Sequence, residues 1–293
     1  EIAKTLLEAG ADIDGTYASS GTALQCAAER GDNATVELLL DWGANVNAKP
    51  SGRGTALIAA IRNGHTDTAG LLLQRDADPN QLDGYNCCSA LSTAPDFSAI
   101  ELLLNHGADA SQKPKDTHAL IKAIQRLDEK SVQILLDHGA DPDIHTSSFD
   151  ALTSAIHLGS YPIIKLLLEA GATVRGTSKA NIPIIAAAAN GQDEILTLLI
   201  EYGADVNLSN ELQGSPLIAA ASRGHLSTAY ILLTCGALVD CFNKHHGTPL
   251  IAAAVAGEME IAALLMEYGA DPTRMVRAGY SSPILAGRGT KTV

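Results

Sequence analysis

Apolar residues along this chain come in short bursts spaced three and four apart, cut by glycines before a helix can grow long. The stretch His246 to Pro272, HGTPLIAAAVAGEMEIAALLMEYGADP, shows the pattern most clearly. Thr248 is placed to cap a helix with its hydroxyl, and Pro249 follows at the first helical position, where a missing N–H costs nothing. Leu250, Ala253 and Ala254 then share one face, and Gly257 supplies the left-handed stop. A second helix is predicted over Glu260 to Tyr268, with Ile261, Leu264 and Leu265 as its apolar side. Gly269 ends it, and Ala270-Asp271-Pro272 opens a turn.

This unit recurs. The residue closing the second helix is Gly10, Gly43, Asp76, Gly107, Gly139, Gly171, Gly203, Gly236 and Gly269, in steps of 31 to 33 residues. Twenty-one residues before each landmark except Gly10, the spacing predicts the start of a first helix: Thr22, Thr55, Asn86, His118, Asp150, Ile182, Ser215 and Thr248. A fixed period of this length over a whole chain is the signature of a solenoid.

The period, with Thr-Pro-Leu-Ile-Ala-Ala at the first helix and Gly-Ala-Asp after the second, resembles the ankyrin repeat. The resemblance covers essentially the whole chain and implies an all-α fold, an ankyrin-repeat α-solenoid of helix–turn–helix units joined by short β-hairpin loops. One array over 1–293 is expected. It divides into 1–21 (partial), 22–54, 55–85, 86–117, 118–149, 150–181, 182–214, 215–247, 248–281 and 282–293 (partial). The incomplete units at both ends, with no polar cap repeat, read as a segment of a longer protein. The repeat style, as in GTALQCAAERG, is similar to arrays in large fungal multidomain proteins, including NACHT-type receptors.

Two units depart from the pattern. In NCCSALSTAPDFSAIELLLNHGADA, Cys87 and Cys88 stand where Pro and Leu are expected and Pro95 replaces the turn glycine. In the next, Leu127 takes the turn-glycine position, and earlier Asp76 replaces a closing glycine. The predicted buried positions are Ala23, Leu24, Ala27 and Ala28, then Val36, Leu39 and Leu40, and their counterparts in each later unit.

Composition adds little to this picture. The chain is 46% hydrophobic but only 4% aromatic, which suits thin layers of Ala, Leu and Ile. A net charge of -13 argues against general binding to nucleic acid, where phosphates must be neutralised. No apolar run reaches the roughly 20 residues that a bilayer span requires. The five cysteines lack framework spacing and read as reduced thiols of a cytoplasmic or nuclear protein.

Periodicity absorbs most candidate chemistry. His65 and His225 follow a turn glycine, while His106 and His138 precede a closing one, so a repeat position explains all four. Asp12, Asp109, Asp141, Asp205 and Asp271 recur in the Gly-Ala-Asp turn, where a short carboxylate accepts backbone bonds. Cys235, Cys241, His245 and His246 are zinc-competent residue types, but a helix end and a loop tip hold them apart. By the resemblance, Asn47 and Asn207 match the hairpin asparagine that some oxygenases hydroxylate, although a structural turn role is favoured. No enzyme, cofactor or metal assignment follows.

The resemblance implies a protein–protein interaction module, with the partner on a concave side formed by loop tips and first-helix ends. The end pairs are Glu29-Arg30, Arg62-Asn63, Thr93-Ala94, Gln125-Arg126, His157-Leu158, Ala189-Asn190, Ser222-Arg223 and Val255-Ala256. Candidate partner-binding residues are Arg30, Arg53, Arg62, Tyr85, Lys115, Arg126, His157, Lys179, Arg223 and Lys244. These cations, with Asp83, Asp116 and Glu211 in partial opposition, face away from an acidic outer row that includes Asp41, Asp137, Glu169, Glu201 and Glu267. The expected partner is another protein offering an acidic or phosphorylated segment to a monomeric chain. The alternative is a sensor that takes a phosphorylated small ligand on the same face.

Overall fold

A computed structural model describes residues 2–16, 21–49, 54–84, 88–112, 118–145, 150–177 and 182–274. It divides into two compact units, Glu1–Ser147 and Ser148–Val293. The described residues are all helix and turn except for isolated bridges, Asn210 with Gly214 and Asn243 with Gly247 among them.

The first unit holds α1 (Ile2–Glu8), α2 (Ala23–Arg30), α3 (Asn33–Asp41), α4 (Ala56–Arg62), α5 (Thr66–Gln74), α6 (Ala90–Thr93), α7 (Phe97–Asn105), α8 (Ala119–Gln125) and α9 (Glu129–Asp137). From α2 onward, consecutive helices pair as hairpins. The even-numbered helices stack in one row and the odd-numbered in another. The second unit repeats the arrangement with α10 (Ala151–Leu158), α11 (Tyr161–Glu169), α12 (Pro183–Asn190), α13 (Asp193–Glu201), α14 (Pro216–Arg223), α15 (Leu226–Thr234), α16 (Pro249–Ala256) and α17 (Met259–Glu267). Here α10, α12, α14 and α16 form the first row, and α11, α13, α15 and α17 the second.

Capping chemistry sets where the first helices start. The side chains of Thr22, Thr55, Asp150, Ser215 and Thr248 each accept from the backbone N–H three residues on. Pro183, Pro216 and Pro249 occupy the first helical turn as the sequence suggests. Small residues then close the first row: Ala28, Ala60, Ala155, Ala187, Ala220 and Ala253 are fully buried. Leucines and isoleucines fill the space to the second row. Leu39, Leu72, Leu103, Leu135, Leu167, Leu199, Leu232 and Leu265 are buried at equivalent positions, each worth about 1.5–3 kcal/mol.

Several expectations need correction. Ala23 is exposed: as the first residue of α2 it faces away from the row that buries Leu24, Ala27 and Ala28. Leu40 and Leu264 are only half-buried. The last hairpin's second helix runs Met259–Glu267, one residue earlier than predicted, and Tyr268 is its C-cap. The largest departure lies in α6. The period placed its start at Asn86, which lies outside the described residues, but the N-cap is Ser89. Ser89 and Ser92 bond reciprocally as a capping box, and Cys88 is tied back to Asp83 by backbone and side-chain bonds instead of entering the helix. Pro95 then forces Ala94 out of helical conformation, to φ -55° and ψ 128°. Between the late start and the early stop only four residues remain helical.

A second ladder runs through the loops. Asn47 donates to the Asp76 carbonyl and accepts from the Asp78 N–H, at 3.0 and 2.8 Å. Asn80 does the same with Gly107 and Asp109, and Asn207 with Gly236 and Leu238. Asp14 and Asp240 supply the acceptor half alone, taking the N–H groups of Asn45 and Asp271. Each clasp joins one loop to the next, about one repeat on.

Candidate functional site

The ends of the first helices and the loop tips carry the side chains that sequence singled out. Arg53, Tyr85, Lys115 and Lys179 lie outside the described residues, as do Lys113 and Asp116. Most of the predicted end pairs are exposed: Glu29, Arg30, Arg62, Asn63, Gln125, Arg126, His157, Leu158, Asn190, Arg223, Val255 and Ala256. Four positions differ, Ser222 being half-buried like Thr93. Ala94 and Ala189 are buried and Thr93 is half-buried, Thr93 and Ala94 because α6 stops early.

The cations do structural work as well. Arg62, on the last turn of α4, donates to Asp83 at 3.0 Å; the arginine is 49% exposed and the aspartate 4%. The other oxygen of Asp83 accepts from the Cys88 N–H at 3.0 Å, so this carboxylate is engaged on both sides. Arg126 reaches from the end of α8 to the carbonyls of Ala94 and Pro95, both at 2.9 Å. Arg223 and His225 converge on the carbonyl of Ala189 at 3.2 and 3.0 Å. A helix end leaves such carbonyls without intrahelical partners, and cations there also meet the negative end of the dipole. Lys244 pairs with Glu211 across neighbouring loop tips at 3.3 Å, both ends well exposed. Arg30 and His157 project from the last turns of α2 and α10.

Sequence reasoning overlooked Lys122. It lies one helical turn before Arg126 on α8, a spacing that puts the two on one face. Its ammonium donates to the Ser92 carbonyl at 2.6 Å. Half-burial pulls its pKa below the ordinary lysine value; the Cys88 thiol opposes this and the charges of Arg126 and Arg62 add to it. Arg62, Lys122 and Arg126 therefore gather around the truncated α6. The neighbouring cleft is lined by Ser89, Ser92, Gln112 and His118 among others.

The second unit presents different chemistry at the same level. Leu212, Leu238 and Phe242 at the loop tips are more than half exposed, as is Val255 at the end of α16.

The remaining candidates have repeat roles. His65 and His225 bond the carbonyl at the end of the preceding first helix, Glu29 and Ala189 respectively, and Gln192 does the same with Ile156. His106 and His138 bond carbonyls four residues back in their own helices. Asp12, Asp109, Asp141, Asp205 and Asp271 each accept from the N–H two residues on, as expected of these turns. The Asn47 and Asn207 amides are taken up by the loop clasps. Cys241 faces the Ser215 hydroxyl at 3.0 Å, and burial pushes its thiol pKa up. His246 bonds the Leu212 carbonyl, and Cys235 is exposed at the end of α15. Among the described residues no three His, Cys, Asp or Glu side chains gather as metal ligands would. None of their helices is long and apolar enough to cross a membrane.

A family model described as ankyrin repeats (3 copies) matches residues 1–83, 88–178 and 184–276. No curated protein matches the chain. With matched segments spanning most of its length and paired helices stacked in two rows, the chain belongs to the ankyrin-repeat family.

Proposed function

We propose that the chain is a protein-interaction module that holds a partner segment against its first-helix ends and loop tips. Ankyrin repeats generally mediate protein–protein interaction. The observation that carries the finer reading is the contrast within each first helix. Its alanine and leucine face is buried, while its last two residues are mostly exposed and differ from one repeat to the next. Glu29, Arg62, Gln125, His157 and Val255 are five different exposed residue types on one scaffold position. An interaction surface is varied in this way on a constant core. Reduced thiols fit a cytoplasmic or nuclear setting, and an array whose described apolar faces are mostly covered fits a monomer.

The test is selection of peptides from a random library on the immobilised chain. Arg30→Glu and His157→Glu on the inner side are then compared with Glu169→Lys and Glu201→Lys on the outer. Micromolar binders weakened about tenfold or more by the inner pair, and little by the outer, support the assignment. Binding lost only with the outer pair would overturn it. A thermal-shift screen with nucleotides and oligophosphates addresses the small-ligand alternative, since a bound ligand raises the melting temperature with concentration.

A further inference from the structure

The loss of a helical turn in α6 does more than shorten one helix. In the other repeats of the first unit, the end of a first helix is its own last turn. At α6 that place is filled by side chains of α8: Lys122 on the Ser92 carbonyl and Arg126 on those of Ala94 and Pro95. Arg62 flanks the same place from α4. The helices stack in the order α4, α6, α8, so the three cations bracket one repeat from both sides.

Among the described residues the charge there is unbalanced. Asp83 is buried and has both carboxylate oxygens taken, one by Arg62 and one by the Cys88 N–H. Asp96 and Asp128, the acids that follow α6 and α8, cap α7 and α9 through the N–H groups of Ala99 and Ser131. The groups whose charge bears on Lys122 are Cys88, Arg126 and Arg62, two of them cations. An ammonium and two guanidiniums also have more N–H donors than the carbonyls and carboxylate they meet here can absorb. Half-buried Lys122 and the more exposed Arg62 and Arg126, with donors left over in a protein of net charge -13, form a local inversion of the field.

We propose that Arg62, Lys122 and Arg126, around the truncated α6, form an acceptor for an extended acidic segment of the partner protein. This rests on the reading of the chain as a protein-interaction module and names the chemistry of its partner. The spacing favours an extended segment over one compact anion. Stacked helices lie about 8–10 Å apart, so the flanking arginines arise two helix spacings from one another. Side chains on one face of an extended strand recur every ~6.6–6.8 Å, which lets successive carboxylates meet cations along that span.

The test uses the full chain with isotopic labelling, titrated at low salt with acetyl-hexaglutamate-amide and, separately, inorganic pyrophosphate. Backbone signals are followed at Arg62, Ser92, Thr93, Lys122 and Arg126. The expected result is saturable shifts confined to this group with the hexaglutamate, stronger than with pyrophosphate. In Arg62→Gln/Lys122→Gln the affinity should fall about tenfold or more. Lys122→Arg, which keeps the charge, should retain binding, and thermal melts of each variant establish that it is folded. Shifts spread equally over distant cations such as Lys4 and Lys165, tighter binding of pyrophosphate, or no saturable response would each overturn the proposal. The peptide selection described above is independent. Binders found there but indifferent to Arg62→Gln/Lys122→Gln would leave the interaction module standing and remove this site.

Discussion

At the scale of single residues, the turns record where the chain is strained. Leu127 stands in the left-handed region at φ 58° and is half-exposed, so it strains the backbone without contributing a core contact. A left-handed L-residue costs about 1–2 kcal/mol, and glycine returns part of that gain through unfolded-chain entropy. Leu127→Gly should therefore stabilise the protein by about 0.5–1 kcal/mol, measured as a higher urea midpoint at unchanged m. Gly31 is the converse. A Cβ there would lie 2.6 Å from the His65 ring, whose other nitrogen bonds the Glu29 carbonyl. At Gly64 a Cβ would meet nothing within 4 Å. Both glycines have positive φ, so Gly31→Ala should cost more than Gly64→Ala by roughly 1 kcal/mol, the loss of the histidine bond. Equal costs would mean the ring simply moves aside. The strained sites at Asp76 and Leu127 were legible in the sequence because the period names the turn residue. The bonds from Arg126 and Arg223 to the preceding repeat were not, because they depend on the distance between repeats.

Among the elements, α6 is the exception that the others define. Every other described first helix has seven or eight residues, and α6 has four. The sequence flagged this repeat through Cys87, Cys88 and Pro95, yet placed its helix start at Asn86. The period alone could not show that Ser89, a stronger cap than its neighbours, would take over the start. With so few intrahelical bonds, α6 depends on α8. Arg126→Ala should destabilise the protein by about 1–2 kcal/mol through the uncapped carbonyls. Native-state hydrogen exchange should find the amides of residues 90–94 opening before those of α12, α14 and α16. Equal protection in these four helices would contradict this dependence.

For the molecule as a whole, the chain divides into two compact units, and within each of them interactions run from each hairpin to the next. The first unit holds α6, Asp76 and Leu127, while four first helices of the second end on left-handed glycines. The first should unfold at lower denaturant. Trp42, the one tryptophan, lies in it and is 44% exposed, so its fluorescence reports that unit alone. Its urea midpoint should fall below the midpoint of the far-ultraviolet circular dichroism, which follows both units. Coincident curves would indicate a single cooperative body. The family and the all-α class were open to a reader of the sequence because buried alanines and leucines repeat with the chain's own period. The cation cluster was hidden because Lys122 stands where other repeats carry Cys26, Ala59, Ser154, Ala186, Ala219 or Ala252, and it gains its meaning only from a helix that is missing a turn.

The loop clasps carry one more consequence. In the first unit they pass from Asp14 to Asn47 to Asn80 and on to Asp109, bridging the loops on both sides of α6 without interruption. The register of the tips is thus written in backbone amides and carbonyls, independently of the helix behind them. Such a ruler keeps its graduations when one helix is eroded. Mutation is then freer to rework first-helix ends, and even to remove a turn, while neighbouring loops stay in step with one another.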